Sequence, residues 1–352
     1  MNPAPRLLIS GASGFLGRRL AEMALARGET VRLLLRPTSR LDLAADRLDP
    51  DGLDLGGAGE RLDIVRCEFA DAAGLVRAMA GVRIVHHCAG LAADWGRWAA
   101  FRAANIDGVA QLLTAARDAG TVERFVHVST TDVYGYPVVP GDEIDEPRDT
   151  GLPYNRSKLL GDALALRFCR ETGLPVTVVR PATIFGPHSK DWAVELSELL
   201  TAGWVVTIGG GAVSAGLVYV DDVAQAMLAL AADPTAIGEA YNIVDPAALS
   251  WRDYFDRMAD GLGVARPRFD LGPATAYALG AACEGIYGML GITSRPLFTR
   301  HVVRLLSRSQ GYDSGKLRRA VPDFPAIGVE EGLTRTLAWL TARRDQALAS
   351  QH

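Results

Sequence analysis

Lysine is nearly missing from this chain. Of 37 basic residues in 352, only Lys158, Lys190 and Lys316 are lysines, and the other 34 are arginines. With its many alanines, glycines and leucines, that bias reflects genome composition rather than function. Basic charge is not in excess, because the formal net charge is −4, so nothing offers nucleic acid an electropositive footprint. Cysteine is scarce. Cys67, Cys88, Cys169 and Cys283 lie far apart and form no CxxC pair, and the first three sit in apolar surroundings, so they read as reduced residues of a cytosolic protein. No metal-ligand spacing, internal repeat or low-complexity tract is present. No run is long and charge-free enough to span a bilayer; the nearest, 271–291, is broken by Glu284 and several glycines. The opening MNPAPRLLIS enters a strand-like run with no secretory hydrophobic region. A soluble, cytoplasmic protein is expected.

Hydrophobic residues at 49% and charged residues at 22% suffice for a large core, or for one domain carrying a smaller lobe. Short β-branched or leucine-rich runs at 6–10, 30–35, 62–66, 83–87, 124–129 and 175–180 predict buried strands. Between them, 15–27, 97–119 and 154–172 repeat apolar residues at helical spacing. Alternation of this kind predicts a doubly wound parallel α/β sheet, with the site at the carboxyl ends of its strands. The stretch from Pro37 to Arg61, with Asp-Pro-Asp-Gly and Gly-Gly-Ala-Gly, predicts a surface excursion. Further strand signals at 216–220 and 240–244 predict a return to the sheet. The expected division is therefore 1–182 with 213–244 as the sheet domain. A smaller, mostly helical substrate lobe is expected from 183–212 and 245–352.

Directly after the first strand comes Ser-Gly-Ala-Ser-Gly-Phe-Leu-Gly. Gly11 permits a tight turn, Gly14 lets backbone approach a pyrophosphate, and Gly17 lets helix and strand pack closely. Ser13, Phe15 and Leu16 complete the loop and open a helix whose free N–H groups and positive dipole end suit phosphate. A glycine triad alone is weak, but placed between a first strand and a first helix it predicts a Rossmann-type dinucleotide site. The second strand ends in Arg36, where an acidic residue would favour NAD(H). A guanidinium pairs with a 2′-phosphate, which favours NADP(H) over NAD(H). An ordinary solvated arginine is the other reading.

Tyr154-Asn155-Arg156-Ser157-Lys158 places a phenol and an ammonium one helical turn apart. A free tyrosine titrates near pH 10, and a neighbouring cation lowers that, so the pair is expected to exchange protons near neutrality. A chance surface pair is the bland alternative, but Lys158 is one of three lysines. Ser129 or Thr130, at the tip of the fifth strand, offers a hydroxyl beside Tyr154.

Together SGASGFLG, HCAG (87–90), Asn105 in NIDG, STTDVYG, YNRSK and RPATIFGP (180–187) resemble the extended short-chain dehydrogenase/reductase superfamily. The carboxyl region resembles its 3β-hydroxysteroid dehydrogenase/isomerase-like group. The resemblance implies a Thr–Tyr–Lys triad of Thr130, Tyr154 and Lys158, with Ser129 as the alternative hydroxyl. It places Cys88, Ala89 and Gly90 along the nicotinamide, and Pro181, Ala182, Thr183 and Ile184 beside its carboxamide. Glu68 and Phe69 stand where relatives carry Asp-Leu beside adenine. Asn105 either organises that strand end or packs a helix, while His86 and His87 read as core residues. A homodimer through 97–119 and 154–172 is also implied.

Nucleotide-sugar relatives carry an arginine before the late strand, where this chain has Ala215. That favours a bulky apolar ketone or alcohol (a steroid, a 3-oxo acid or lipid, or a polyketide-like molecule) as the substrate. A nucleotide-sugar epimerase or dehydratase is the alternative enzyme, and a dinucleotide-sensing binding protein the alternative of another class. The segment 271–296, with Tyr277, Leu279, Ile286, Tyr287, Met289 and Leu290, is expected to wall the substrate pocket with its apolar face. A membrane surface is the second place for such a face.

Overall fold

A computed structural model describes residues 6–41, 60–296 and 298–349. The alternating runs become six consecutive strands: β1 (Leu7–Ser10), β2 (Val31–Leu35), β3 (Leu62–Arg66), β4 (Ile84–His87), β5 (Arg124–Val128) and β6 (Val176–Pro181). Next come β7 (Thr183–Phe185), β8 (Val206–Ile208) and β9 (Leu217–Tyr219), which lie outside this sheet, and β10 (Ala240–Ile243), which returns to it. Across the sheet the order is β10-β6-β5-β4-β1-β2-β3, and every pairing is parallel. The order reverses between β1 and β4, the crevice where open α/β sheets bind ligands.

Parallel strands buried on both faces need apolar residues at every position, and β1 and β2 are buried throughout. Leu7, Ile9, Val31 and Leu33 face a core shared with α1 (Phe15–Ala26). Leu8, Leu34, Val85 and Phe125 face the opposite core, under α2 (Ala72–Met79), α4 (Gly108–Ala119) and α5 (Pro153–Thr172). The short helix α3 (Trp98–Arg102) runs into α4 through a π-helical turn, Ala103–Asp107. Such turns often mark functional sites. Pro153 opens α5, and Gly173 closes it in the left-handed conformation, following the usual asymmetry of helix ends.

The 216–220 signal is a strand, but not a strand of the central sheet. Both edges of β6 are taken, by β5 and β10, so β9 pairs with β7 instead, in a two-stranded sheet of its own. The rest of the carboxyl half is mainly helical. It contains α6 (Leu196–Thr201), α7 (Val220–Ala232), α8 (Trp251–Leu262), the short β11 (Phe269–Leu271) paired with β8, α9 (Pro273–Met289), α10 (Arg300–Ser307), α11 (Gly315–Ala320) and α12 (Gly328–Ala349). Among the described residues no helix is long and apolar enough to cross a membrane. The surface excursion expected after Pro37 falls largely on 42–59, outside the described residues.

Candidate active site

At the tip of β1 the glycines do distinct work. Gly11 has φ +77°, and a Cβ there would stand 2.6 Å from the Ala89 backbone nitrogen. A Cβ on Gly17 would stand 2.4 Å from the Gly11 oxygen, so α1 rests directly on the loop. Gly14 is the N-cap of α1 and supplies no side-chain cap, while Ser13 and Gly14 are exposed. Phe15 is half-buried and Leu16 buried. The result is an open helix N-terminus over a loop with no room for a Cβ at Gly11 or Gly17, a cradle that fits a pyrophosphate.

Arg36 is exposed at the tip of β2. Sequence reasoning missed its neighbour Arg66, at the end of β3, whose Nη1 donates to the carbonyls of Arg36 (3.3 Å) and Ser39 (2.7 Å). Glu68 is exposed and Phe69 half-buried, with the Phe69 ring edge-on to His87. After β4, Gly90 lies so close to Asn105 that a Cβ would stand 3.0 Å from its Oδ1. Asn105, carried by the π-helical turn, accepts from Leu91 N at 2.7 Å and donates to Leu91 O at 3.0 Å and Ser157 Oγ at 2.9 Å. It organises the Cys88–Leu91 strand end and ties α5 to it, so both readings of Asn105 hold together.

The histidines of β4 and β5 are fully buried, and burial pushes His86 and His87 down to about 3. They are neutral core residues, and His87 Nδ1 pairs with Ser10 Oγ at 2.7 Å. Among the described residues no cluster could hold a metal. Burial likewise pushes the Cys88 thiol up to about 12, and all four cysteines are free.

Tyr154 and Lys158 leave the first two turns of α5 beside the tip of β5. Lys158 Nζ donates to the Val128 carbonyl at 2.6 Å, and burial lowers its pKa to about 8. Thr130 lies close enough to Tyr154 to act on its phenol. Both residues line one cavity, whereas Ser129 Oγ is buried with no hydrogen-bond partner among the described residues and lies outside that lining. Of the two hydroxyls, Thr130 is the one at the cavity. Asn155, which sequence reasoning passed over, anchors the turn between them: its Nδ2 donates to Asp132 O at 2.5 Å, and its Oδ1 accepts from Thr150 N and Oγ1.

One expectation is corrected here. The Tyr154 phenol is not lowered by Lys158 in this geometry. Burial and then the Asp132 carboxylate raise it well above the ordinary tyrosine value, the Thr130 hydrogen bond opposes them, and Asp191 adds to the rise. Lys158 is turned onto Val128 O instead of the phenol.

The cavity above Tyr154 has about 600 Å³ of room. Its inner end holds the buried Thr130, Asp132 and His301 with the half-buried Tyr154, and its walls include Leu196, Leu199, Phe255, Val302 and Leu305. Trp204 and Arg295 stand at the exposed rim, with Arg295 paired to Asp94 at 2.8 Å and Glu195 at 3.1 Å. Pro181 ends β6 beneath this space, Ile184 follows in β7, and Ala182 and Thr183 line it. Thr183 Oγ1 donates to Ala215 O at 2.7 Å.

The 271–296 segment lines the cavity as expected with Leu271, Leu279 and Cys283, but most of the large apolar residues expected to do so face elsewhere. Its helix α9 docks through Ala276, Gly280 and Glu284, one face at i, i+4 and i+8. Glu284 accepts from Arg300 N (2.8 Å) and Nε (2.6 Å), and Gly280 admits the Thr299–Arg300 backbone. That polar anchor turns Ile286, Met289 and Leu290 outward, while Leu279 and Cys283 reach the cavity. Tyr277 instead meets Arg304, and Tyr287 meets Trp95.

A family model described as the NAD dependent epimerase/dehydratase family matches residues 7–244. Among curated proteins, the chain is 28% identical to a 2-alkyl-3-oxoalkanoate reductase of Stenotrophomonas maltophilia (strain K279a), over 95% of this chain and 98% of that one. It is 28% identical to 3beta-hydroxysteroid-dehydrogenase/decarboxylase isoform 2 of Arabidopsis thaliana, over 94% of this chain and 61% of that protein. Among solved structures, UDP-glucuronic acid 4-epimerase from Bacillus cereus in complex with NAD superposes with a TM-score of 0.73 at 20% identity, covering 96% of this chain and 99% of that one. That last likeness is one of fold.

Proposed function

The chain belongs to the NAD dependent epimerase/dehydratase family, and within it we propose an NADP(H)-using oxidoreductase that interconverts a ketone and a secondary alcohol on a bulky apolar substrate. The observation that carries this reading is the Thr130–Tyr154 hydroxyl pair at the buried end of a mainly apolar cavity of about 600 Å³. The glycine cradle and the uncapped α1 N-terminus fit a dinucleotide, which when bound supplies or takes the hydride. Tyr154 gives its phenolic proton to the carbonyl oxygen in reduction, Thr130 orients that oxygen, and Lys158 serves the ribose from its seat on Val128. Arg36 would hold the 2′-phosphate of NADP(H), and Arg66 braces the backbone of its loop.

Two relatives named for an oxo-acid reductase and a hydroxysteroid dehydrogenase support this class of substrate. The charges argue against a nucleotide sugar. Asp94, Asp132, Asp191 and Glu195 line the cavity against Lys190 and Arg295, and Arg295 is already paired. A diphosphate would meet net negative charge, and Ala215 is wholly buried.

The test is loss of reduced-cofactor absorbance with 2-alkyl-3-oxo acids, steroid ketones and polyketide-like ketones, set beside UDP- and dTDP-sugars, with NADPH and NADH compared. Turnover of at least one apolar ketone, faster with NADPH, is expected. Turnover of sugar nucleotides alone overturns the reading. Cofactor binding without turnover of anything favours a dinucleotide sensor.

A further inference from the structure

At the inner end of the cavity, beside Tyr154, stand two polar side chains that a plain ketone leaves unused. Asp132 and His301 are 6% and 9% exposed, and both line the cavity. Asp132 belongs to the 3-10 turn Thr131–Tyr134, and its backbone is fastened on both sides. Its N–H donates to Thr130 Oγ1 at 3.2 Å, and its carbonyl accepts from Asn155 Nδ2. His301 arrives from α10. Its Nδ1 pairs with the Tyr136 hydroxyl at 3.0 Å, and its ring stands edge-on to the Tyr154 ring, 5.5 Å between centroids. Tyr136 makes that contact from the left-handed region, at φ +61°, which a bulky residue keeps only where its surroundings enforce it. The imidazole is thus oriented from behind through Nδ1, and Nε2 is the atom left for a ligand. Nε2 faces Asp132 Oδ2 at 3.8 Å, too far for a hydrogen bond.

Buried polar atoms left without partners are costly, and the walls around this pair, Leu196, Leu199, Phe255 and Val302 among them, are apolar. Tyr136 lies close enough to act on the Asp132 carboxyl as well, but a carboxylate accepts at about four positions, so capacity remains. The oxygen of a ketone under reduction is taken by Tyr154 and Thr130. A ketone with no other polar group presses alkyl carbon onto Asp132 and His301. A hydroxyl in that place serves both: its hydrogen goes to the carboxylate, and its lone pairs accept from Nε2–H while Nδ1 accepts from Tyr136.

We propose that Asp132 and His301 form a hydroxyl-binding subsite, and that the substrate is a bulky ketone carrying a hydroxyl on its β carbon. This rests on the reading of the chain as a ketone reductase. The spacing sets the place of the hydroxyl. The Tyr154 and His301 rings lie 5.5 Å apart, and a carbon–carbon bond spans about 1.5 Å. A hydroxyl two carbons from the carbonyl therefore reaches the pair while the carbonyl oxygen stays at Tyr154 and Thr130. Asp132 and His301 touch no reacting atom; they select and orient the substrate. A site built to hydrogen-bond a hydroxyl rejects the analogue that lacks it more strongly than an apolar wall rejects a changed alkyl chain.

Trp192 and Trp204 line the cavity, so their fluorescence reads a ligand entering it without any turnover. The probes are a long-chain dialkyl ketone, its β-hydroxy derivative and its β-methoxy derivative, which accepts but cannot donate. They are titrated into the full protein without cofactor, so that nothing reacts. The wild type is expected to bind the β-hydroxy ketone about tenfold tighter than the other two, the worth of one hydrogen bond to a charged group. His301→Phe keeps a ring against Tyr154 but removes both nitrogens, and Asp132→Asn leaves only a neutral acceptor. Each should cut the preference to about threefold or less. Each variant is read as a ratio between ligands, so a general loosening of the cavity cancels. A wild type that binds the β-hydroxy ketone no tighter than either other probe overturns the proposal, even if neither variant folds. A preference that both variants keep also overturns it, because the hydroxyl is then held elsewhere. Reduction of the same ketones with NADPH is measured separately. Turnover without a binding preference removes the subsite and leaves the reductase reading intact. A tenfold preference in a protein that reduces none of the three supports the subsite and sinks the reductase reading instead.

Discussion

The Lys158 ammonium stands 2.6 Å from the carbonyl oxygen of Val128, so the helix that carries Tyr154 is pinned to the strand that delivers Thr130. The pin comes with a cost in stability. Burial lowers the Lys158 pKa from 10.5 to about 8, which means that between those values the folded protein binds fewer protons there than the unfolded chain. The penalty is complete below about pH 8 and fades as pH rises through 10.5. It corresponds to roughly 3 kcal/mol.

Lys158→Met is therefore expected to match or exceed the wild type in Tm at pH 7, while losing turnover and cofactor affinity. Its advantage should shrink toward pH 10. Thermal melts across that range, without cofactor, check the sign. A variant that is far less stable at pH 7 would mean that the bond to Val128 outweighs the burial cost. Unchanged affinity in a cofactor titration would remove Lys158 from the ribose.

Tyr154→Phe removes one oxygen from the buried end of the cavity and should lower turnover at least about 100-fold with fold and cofactor binding kept. Thr130→Val should follow it in direction. Ser129→Ala separates the two hydroxyls that the sequence left open: its Oγ has no hydrogen-bond partner among the described residues and lies off the cavity lining, so activity should hold. Loss of activity in Ser129→Ala alone would reverse the assignment.

Arg36→Asp should exchange a preference for NADPH for one for NADH, because a carboxylate repels the 2′-phosphate and accepts from the ribose hydroxyl. Arg66→Ala, which frees the 36–39 backbone, should weaken NADPH binding less, with NADH little changed. Compared kcat/KM values for the two cofactors read both effects. A wild type that already prefers NADH contradicts the role of Arg36.

What the sequence revealed was local. The glycine loop, the strand runs and the Tyr154–Lys158 spacing each depend on residues within a turn or two of one another, and the strands fell within a residue or two of their predicted ends. Partners chosen across the fold were not legible. The 216–220 run has strand character whichever sheet it joins, and only the occupied edges of β6 send it to β7. Tyr136 and His301 meet across 165 residues, with no motif to join them. The phenol pKa was misjudged for the same reason: Lys158 is near in sequence, but Asp132 and burial decide the outcome in space.

The α9 helix offers the sharpest test of such a misjudgement. Composition alone called for an apolar face toward the cavity, yet the inward stripe is Ala276, Gly280 and Glu284, and Met289 is 83% exposed against 46% for Leu279. Only Leu279 among the large apolar residues of this helix lines the cavity. Losing a partly buried leucine surface removes about 1 kcal/mol of apolar contact, so Leu279→Asp should raise KM for a bulky ketone about fivefold to tenfold. Cofactor affinity should not move. Met289→Asp touches neither the cavity nor the docking stripe and should leave both constants alone. Glu284→Gln weakens the anchor on Arg300 and should lower Tm before it alters KM, because the helix must loosen before the wall does. Equal KM effects from Leu279→Asp and Met289→Asp would show that substrate meets the whole outer face of the helix, and the cavity drawn here would then be too small.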